Sequence, residues 1–348
     1  MKYNSMAIQS NKNFKLVSKE VPELEDNEIL VKVKGCYICG SDLKTIKFGN
    51  NRVKDNRIMG HEIAGSISKV GSKVKGFEIG ENVALGADFP CLNCEMCASN
   101  NYDRCLKHLA LGHEIDGGFS EYVTLPSSFV KKGPIVKISK DVPLVLAALA
   151  EPVACCLRSI KKHYYMKNIP SISIIGGGPI GAILSTILSI KYPSSKLNIF
   201  EPNIERRRLL ISKDIGHFWY ENTKLFENNS GGDLIFVACS ILEAQHEALR
   251  IINHGGTICL FGGISQKNNY PVLDSNLIHY KELCVYGTTG SDKKDVKEAS
   301  RLITQNQALF QKIISKKFSL FNIKKAFEEA YKGSKLKIFV ECDRLNYD

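Results

Sequence analysis

Residues 171–201 read SISIIGGGPIGAILSTILSIKYPSSKLNIFE. A short apolar strand, Ser171 to Ile175, runs into Gly176-Gly177-Gly178-Pro179-Ile180-Gly181, and an apolar helix follows. Glycines 176, 178 and 181 have the spacing G-x-G-x-x-G. That spacing is informative only between a strand and a helix, with an acidic residue about 20 positions on. Here Glu201 ends the next strand, Leu197 to Glu201. Gly176 allows the tight turn, Gly178 lets backbone approach a pyrophosphate, and Gly181 allows close packing of helix on strand. Pro179 suits the first helical position, and with Ile180 it starts a helix whose free N–H groups face the phosphates. Glu201 is placed to accept from the adenosine ribose hydroxyls and to repel a 2′-phosphate, which favours NAD over NADP. Arg206, one turn into the next helix, is a candidate to close over the ribose.

The same alternation continues outward. DLIFVA (233–238), GTICLF (256–261) and LCVYG (283–287) are apolar strands, with charged or amphipathic helical stretches between the earlier ones. Strands apolar on both faces, alternating with helices, define an α/β fold with a doubly wound parallel sheet. Before Glu151 the chain is β-rich: Ile29 to Val33 and Gly117 to Leu125 are short strands, and Gly76 to Leu85 is a turn followed by a strand, as in a partly closed barrel. After about Ser291 it turns helical and ends in the strand KLKIFVEC (335–342).

That first half carries the metal-ligand residues. CLNCEMCASNNYDRC (91–105) places Cys91, Cys94, Cys97 and Cys105 at spacing suited to one tetrahedral zinc with no open position, a structural site. GCYICGSDLK (35–44) and MGHEIAG (59–65) add Cys39, His61 and Glu62, and AEPVACC (150–156) adds Glu151. A catalytic zinc takes three protein ligands and leaves a fourth position for substrate or water, where it lowers the pKa of a bound hydroxyl.

The chain has 348 residues, enough for two domains. Its apolar and charged fractions, 44% and 24%, are those of a soluble globular protein, and no apolar run is long enough to span a membrane. The N-terminus shows no secretory signal, and twelve cysteines without one point to metal binding and reduced thiols in the cytoplasm. The net charge of +11 comes from scattered lysines, not from a basic block interleaved with aromatics. A zinc-binding nucleic-acid protein is the rival from another class. The cysteine spacing lacks the paired Cys and His arrangement of a major-groove finger, and that reading leaves the glycine fingerprint unexplained.

CGSD (39–42), GHE (60–62), the four-cysteine run, GGGPIG (176–181) and KGSKLKIFVE (332–341) together resemble the zinc-dependent medium-chain dehydrogenase/reductase family, its alcohol and polyol dehydrogenases, over essentially the whole chain. The resemblance implies a GroES-like catalytic domain (1–152) with a structural zinc lobe at about 88–108, a NAD-binding Rossmann domain (153–290) and a C-terminal segment (291–348) returning to the first, with substrate bound between the domains. It implies two zinc ions per chain, NAD, a small alcohol substrate and a homo-oligomer, dimer or tetramer, with no nucleic-acid or membrane partner.

Carried over position by position, Cys39 and His61 match catalytic zinc ligands. The Glu151-Pro152 pair resembles the polyol and threonine branch, in which Glu62 or Glu151 completes the site directly or through water. Ser41 matches the proton-relay hydroxyl. Lys44 stands where the family commonly has a histidine relay, a departure that leaves its role open between relay, ribose or anion contact, and surface lysine. Lys337 matches a basic contact to the cofactor pyrophosphate. His113 and Asp116 are candidates for the edge of the substrate cleft. Cys155 and Cys156 are read as packing near the nicotinamide, and Cys36 as a small buried hydrophobe. The implied reaction is hydride transfer from a secondary alcohol (a polyol, sugar, cyclitol or sugar phosphate) to NAD. Threonine 3-dehydrogenase and simple alcohol dehydrogenase activities are the alternatives.

Overall fold

Ile29–Tyr37 is buried almost throughout because it lies inside a sheet, paired antiparallel with Glu62–Val70, Tyr122–Leu125 and Lys337–Glu341. It is the centre of a seven-stranded sheet in a computed structural model that describes residues 2–9, 13–161, 169–226, 231–264 and 272–343. Asn82–Leu85, Ile135–Ile138 and Ile314–Ser319 complete that sheet. A second sheet of three strands, Lys2–Ile8, Phe14–Glu20 and Arg57–Ile58, shares its core, which joins Met6 and Ile8 to Val31, Ile63, Leu85, Phe119 and Val340. These elements belong to one compact unit, residues 1–154, 290–332 and 337–348; residues 155–289 and 333–336 form the other.

The second unit holds six parallel strands in the order Phe218–Tyr220, Lys196–Phe200, Ser171–Ile175, Leu234–Val237, Thr257–Leu260, Cys284–Gly287. The first strand in sequence lies inside the sheet and the order reverses beside it, the switch point at which open α/β sheets bind ligands. Helices Pro179–Lys191, Ile204–Ser212 and Leu242–Ile251 stand where alternation places them, within a residue or two.

Two expected features differ. The strand expected over 117–125 begins only at Tyr122, because Gly117, Gly118 and Phe119 donate instead to the carbonyls of Ile58, Gly60 and Met59. Ile314–Ser319 is a strand that the lysine-rich run ISKKFS does not announce. It runs parallel to Lys337–Glu341 on the sheet edge, where mixed polarity is tolerated.

Lys281 closes the end of helix Leu242–Ile251. Its ammonium donates to the carbonyls of Leu249 (3.1 Å), Arg250 (2.8 Å) and Ile252 (3.1 Å), groups a helix terminus leaves unsatisfied. Lys281→Met is therefore expected to destabilise the protein by about 1.5–3 kcal/mol, the range for hydrogen bonds to a charged group. Urea denaturation measures this; an unchanged midpoint would show that water replaces the cap without loss.

Candidate active site

Three neighbouring strands of the first unit end at one level. Tyr37 pairs with Glu62 on one side and Phe339 on the other, so the residues that follow or precede these ends, Cys39, His61 and Lys337, converge. The turn into His61 needs Gly60, whose φ of +91° is left-handed; a Cβ there would also lie 2.8 Å from Cys36 Sγ.

Cys39 stands at the N-cap of helix Gly40–Phe48 and forms a capping box with Asp42. Asp42, fully buried, accepts from the Cys39 N–H through Oδ2 (2.9 Å) and sets Oδ1 3.6 Å from His61 Nδ1. One carboxylate thus orients two candidate ligands, as carboxylates do behind ligating histidines. The sequence reading passed over Asp42 because an acid in the first turn of a helix is ordinarily a cap. Its place three residues after a ligand cysteine was the available signal.

Candidate ligand atoms of Cys39, His61 and Glu62 lie within 4.8 Å of one another, and the structure does not draw Glu151 into that group. The electrostatics fit a divalent cation. Burial by itself disfavours the His61 imidazolium, yet the charges of Asp42, Cys39 and Glu151 hold its pKa well above the usual histidine range. Burial, with Glu62 and Asp88 adding to it and His61 opposing, lifts the Glu151 carboxyl to about 7. The His61 shift reflects the negative charge gathered around it, and the Glu151 shift chiefly its burial. His61 Nδ1 also lacks a hydrogen-bond partner. A metal ion would relieve the first imbalance.

Ser41 Oγ stands 3.4 Å from His61 Nε2, at the mouth of this cluster. Lys44 follows one turn along the same helix face. Its side chain is largely exposed, yet desolvation near its ammonium lowers its pKa, partly countered by Cys39. His113 reaches the site, its ring 5.5 Å from that of His61. Asp116 does not: it pairs with Lys19 (2.6 Å) and Arg57 (2.9 Å). Cys36 is a buried core residue whose thiol burial pushes well up. Cys156 is likewise buried, and Cys155 half-buried, in helix Ala150–Lys161.

Lys337 departs from the expected pyrophosphate contact. It is fully buried, donating to both oxygens of Glu62, with Oε2 at 2.5 Å. Lys337 and Glu62 flank the same strand end, and a buried ammonium takes the nearest carboxylate. Burial opposes its charge, but Glu62, Cys39 and Glu151 outweigh that and raise its pKa.

The four-cysteine lobe is pinned at its base by pairing of Asp88–Phe89 with Leu109–Ala110. Sulfur separations are 3.6 Å for Cys94–Cys97, 3.8 Å for Cys94–Cys105 and 3.5 Å for Cys91–Cys105. A tetrahedron with Zn–S bonds of about 2.3 Å has edges of about 3.8 Å, whereas a disulfide is about 2.05 Å. Backbone N–H groups of Cys97 and Leu106 pull the Cys94 thiol down to about 6, while burial and adjacent sulfurs push Cys97 up to about 12. Four thiols this close ionise together only around a cation.

In the second unit, Gly176 has φ +105°, and a Cβ on Gly181 would lie 2.0 Å from the Gly176 carbonyl. At Gly178, which caps helix Pro179–Lys191, the nearest atom to an added Cβ is Arg206 Nη1 at 3.8 Å, so this turn leaves room for a phosphate. Glu201, buried at the end of its strand, accepts from Gly177 N–H (3.0 Å), Asn203 N–H (2.9 Å) and Arg206 Nη1 (2.8 Å). Arg206 therefore closes on Glu201. Oε1, engaged only by Asn203 among the described contacts, retains acceptor capacity for a hydroxyl.

Residues 25–135 match the family described as Alcohol dehydrogenase GroES-like domain. The chain is similar to D-xylulose reductase A of Aspergillus oryzae, 26% identical over 97% of this chain and 96% of that protein. It is also similar to L-threonine 3-dehydrogenase of Pyrococcus abyssi, 29% identical over 91% and 90%. Galactitol-1-phosphate dehydrogenase from Escherichia coli has the same fold, with TM-score 0.83 and 24% identity over 97% of this chain and 99% of that one. The matched domain and these relatives all fit the zinc-dependent medium-chain dehydrogenase/reductase family that the sequence resembles.

Purified protein is expected to hold two zinc ions per chain by elemental analysis, and Cys97→Ser to hold one. Asp42→Asn should weaken the Cys39–His61 site by about 10–100-fold, the usual cost of losing such a support. Chelator competition measures this, and unchanged affinity would remove Asp42 from the site.

Proposed function

We propose that this protein is a NAD-dependent oxidoreductase that transfers hydride from a secondary alcohol of the polyol, sugar, cyclitol or sugar-phosphate class. The observation that carries the reading is the convergence of Cys39, His61 and Glu62 beside the Ser41 hydroxyl. Cys39, His61 and Glu62 would hold the catalytic zinc, with Glu151 behind them, and Cys91, Cys94, Cys97 and Cys105 a structural one. When bound, zinc supplies Lewis acidity toward a substrate hydroxyl and NAD supplies the hydride acceptor.

The chain's own residues do the rest. Ser41 accepts a hydrogen bond from the substrate hydroxyl and relays its proton, and Lys44, one turn on, stands toward solvent to receive it. Asp42 keeps Cys39 and His61 in place. The turn Gly176–Gly181 cradles the pyrophosphate against a helix N-terminus, and Glu201 orients the adenosine ribose. We also place the protein in the cytoplasm as a homo-oligomer. None of the twelve cysteines forms a disulfide, no helix among the described residues is long and apolar enough to cross a membrane, and Cys284–Gly287 is an edge strand of its sheet among the described residues.

NAD reduction should follow addition of at least one compound in a screen of polyols, cyclitols, sugar phosphates and L-threonine. Turnover with threonine alone would select the threonine dehydrogenase reading. Silence across the screen with two zinc ions bound would count against the reaction class, and retention on nucleic acid at moderate salt would favour the rival class. Cys39→Ser should abolish turnover while NAD still binds; undiminished activity would refute the ligand assignment. Glu201→Ala frees Arg206 for a 2′-phosphate and should move the NADP-to-NAD ratio of kcat/KM toward NADP by about tenfold or more. An unmoved ratio would place cofactor choice elsewhere.

A further inference from the structure

His113 stands on a turn that is held at both ends and packed from beneath. Strand Leu109–Ala110 leads into it, and the Gly112 N–H donates to the Ile115 carbonyl at 2.8 Å to close it. Glu114, next in the chain, takes a two-point grip from Arg52: Nε to Oε1 at 2.5 Å and Nη2 to Oε2 at 3.0 Å. Oε2 also accepts from the Ala110 N–H at 2.9 Å, so the guanidinium holds both limbs of the turn. Two residues further on, Asp116 is fixed by Lys19, Arg57 and the Ile58 N–H. Beneath, Gly112 has φ +77°, and a Cβ there would lie 2.8 Å from the Gly60 carbonyl oxygen. Gly60 leads straight into His61. The turn thus sets the His113 ring 5.5 Å from that of His61.

Neither the clamp nor the ring has a task in holding a metal. His113 Nδ1 lies 3.4 Å from the Leu111 carbonyl. A carbonyl only accepts, so the ring proton belongs on Nδ1, and Nε2 is left as an acceptor. We propose that His113 is a specificity-determining contact that accepts a hydrogen bond from a hydroxyl on the carbon next to the reacting one, with Arg52 and Glu114 as its positioning residues. The substrate class narrows to vicinal diols. The inference rests on the reading of Cys39, His61 and Glu62 as the site of hydride transfer. A bidentate guanidinium–carboxylate pair fixes direction as well as distance, which a lysine in its place would not. A half-buried acceptor that meets no donor is penalised. A simple alcohol, lacking the second hydroxyl, leaves Nε2 unpaired when it binds.

The test uses the zinc-loaded full chain at about pH 8, above the usual histidine range. The probes are 2,3-butanediol and 2-butanol, which differ by one hydroxyl. Each is assayed for NAD reduction or, where it is not turned over, as an inhibitor competing with the active compound of the screen. Wild-type protein is expected to favour the diol by about tenfold. His113→Phe, which keeps a ring without an acceptor, should erase most of that preference through the KM or inhibition constant of the diol. His113→Gln, which offers an acceptor again, should retain part of it. Arg52→Gln should lower the preference too, with no further effect in a His113→Phe background. Exchanging the pair, Arg52→Glu with Glu114→Arg, should restore what Arg52→Gln loses, a rescue that a merely structural role would not predict. The Arg52 variants carry the test if His113→Phe does not fold. A preference unmoved by His113→Phe, or equal losses on both alcohols, would overturn the proposal, as would turnover of threonine alone. A preference that moves in His113→Phe but not in Arg52→Gln would strike out the clamp. Failure of the underlying site reading looks different: wild-type protein with two zinc ions bound would then turn over no compound of the screen.

Discussion

The buried pair of Lys337 and Glu62 ties together the strand ends on which the catalytic unit depends. Two ions have been taken out of water here, and their attraction compensates because both Glu62 oxygens are bonded and the geometry is held by strands on either side of Ile29–Tyr37. Losing one partner of such a pair costs about 3–5 kcal/mol, comparable to much of a domain's net stability. The C-terminal strand is thereby fixed to the catalytic unit by charge as well as by backbone pairing. A site built on strand ends and a helix cap, not on long loops, holds its groups rigidly.

Negative charge beyond what Lys337 balances organises the rest of the site. Asp42, Cys39 and Glu151 together hold the His61 pKa up against its burial, and burial lifts the Glu151 carboxyl to about 7. The cysteine lobe shows the same logic with softer ligands, since its four sulfurs sit at the edge lengths of a tetrahedron around zinc. The second unit solves the complementary problem. There Glu201 is held by backbone and Arg206 donors at the end of its strand with acceptor capacity left on Oε1, beside the N-terminus of helix Pro179–Lys191.

Legibility in the sequence follows the range of the interaction. The turn at Gly176–Gly181 is local: φ +105° at Gly176 and the 2.0 Å clash that any Cβ on Gly181 would meet leave few residues to choose from, so the motif reads directly. The cysteine run reads for the same reason, all four ligands lying within fifteen residues. Parallel strands buried on both faces, such as Leu234–Val237, declare themselves by composition. Lys337 does not. It lies 275 residues from Glu62, and sheet order, not local pattern, makes them neighbours. The family resemblance implies a contact to an anionic cofactor at that position, and only the register of three strands shows that the anion is a side chain.

That register also bears on which carboxylate serves the metal. Glu62 opens its strand directly after His61, so backbone pairing with Tyr37 fixes both at once. Glu151 comes from a different element, the first turn of helix Ala150–Lys161, and no strand register ties it to Cys39. Burial above all, with Glu62 and Asp88 adding to it and His61 and Lys337 opposing, lifts its pKa to about 7. A direct ligand must be deprotonated when metal binds. Glu62 lies against the Lys337 ammonium beside Cys39 and His61, whereas Glu151 stands outside that ligand group. Among the described residues Lys337 is the one buried lysine, and the carboxylate it bonds is that of Glu62.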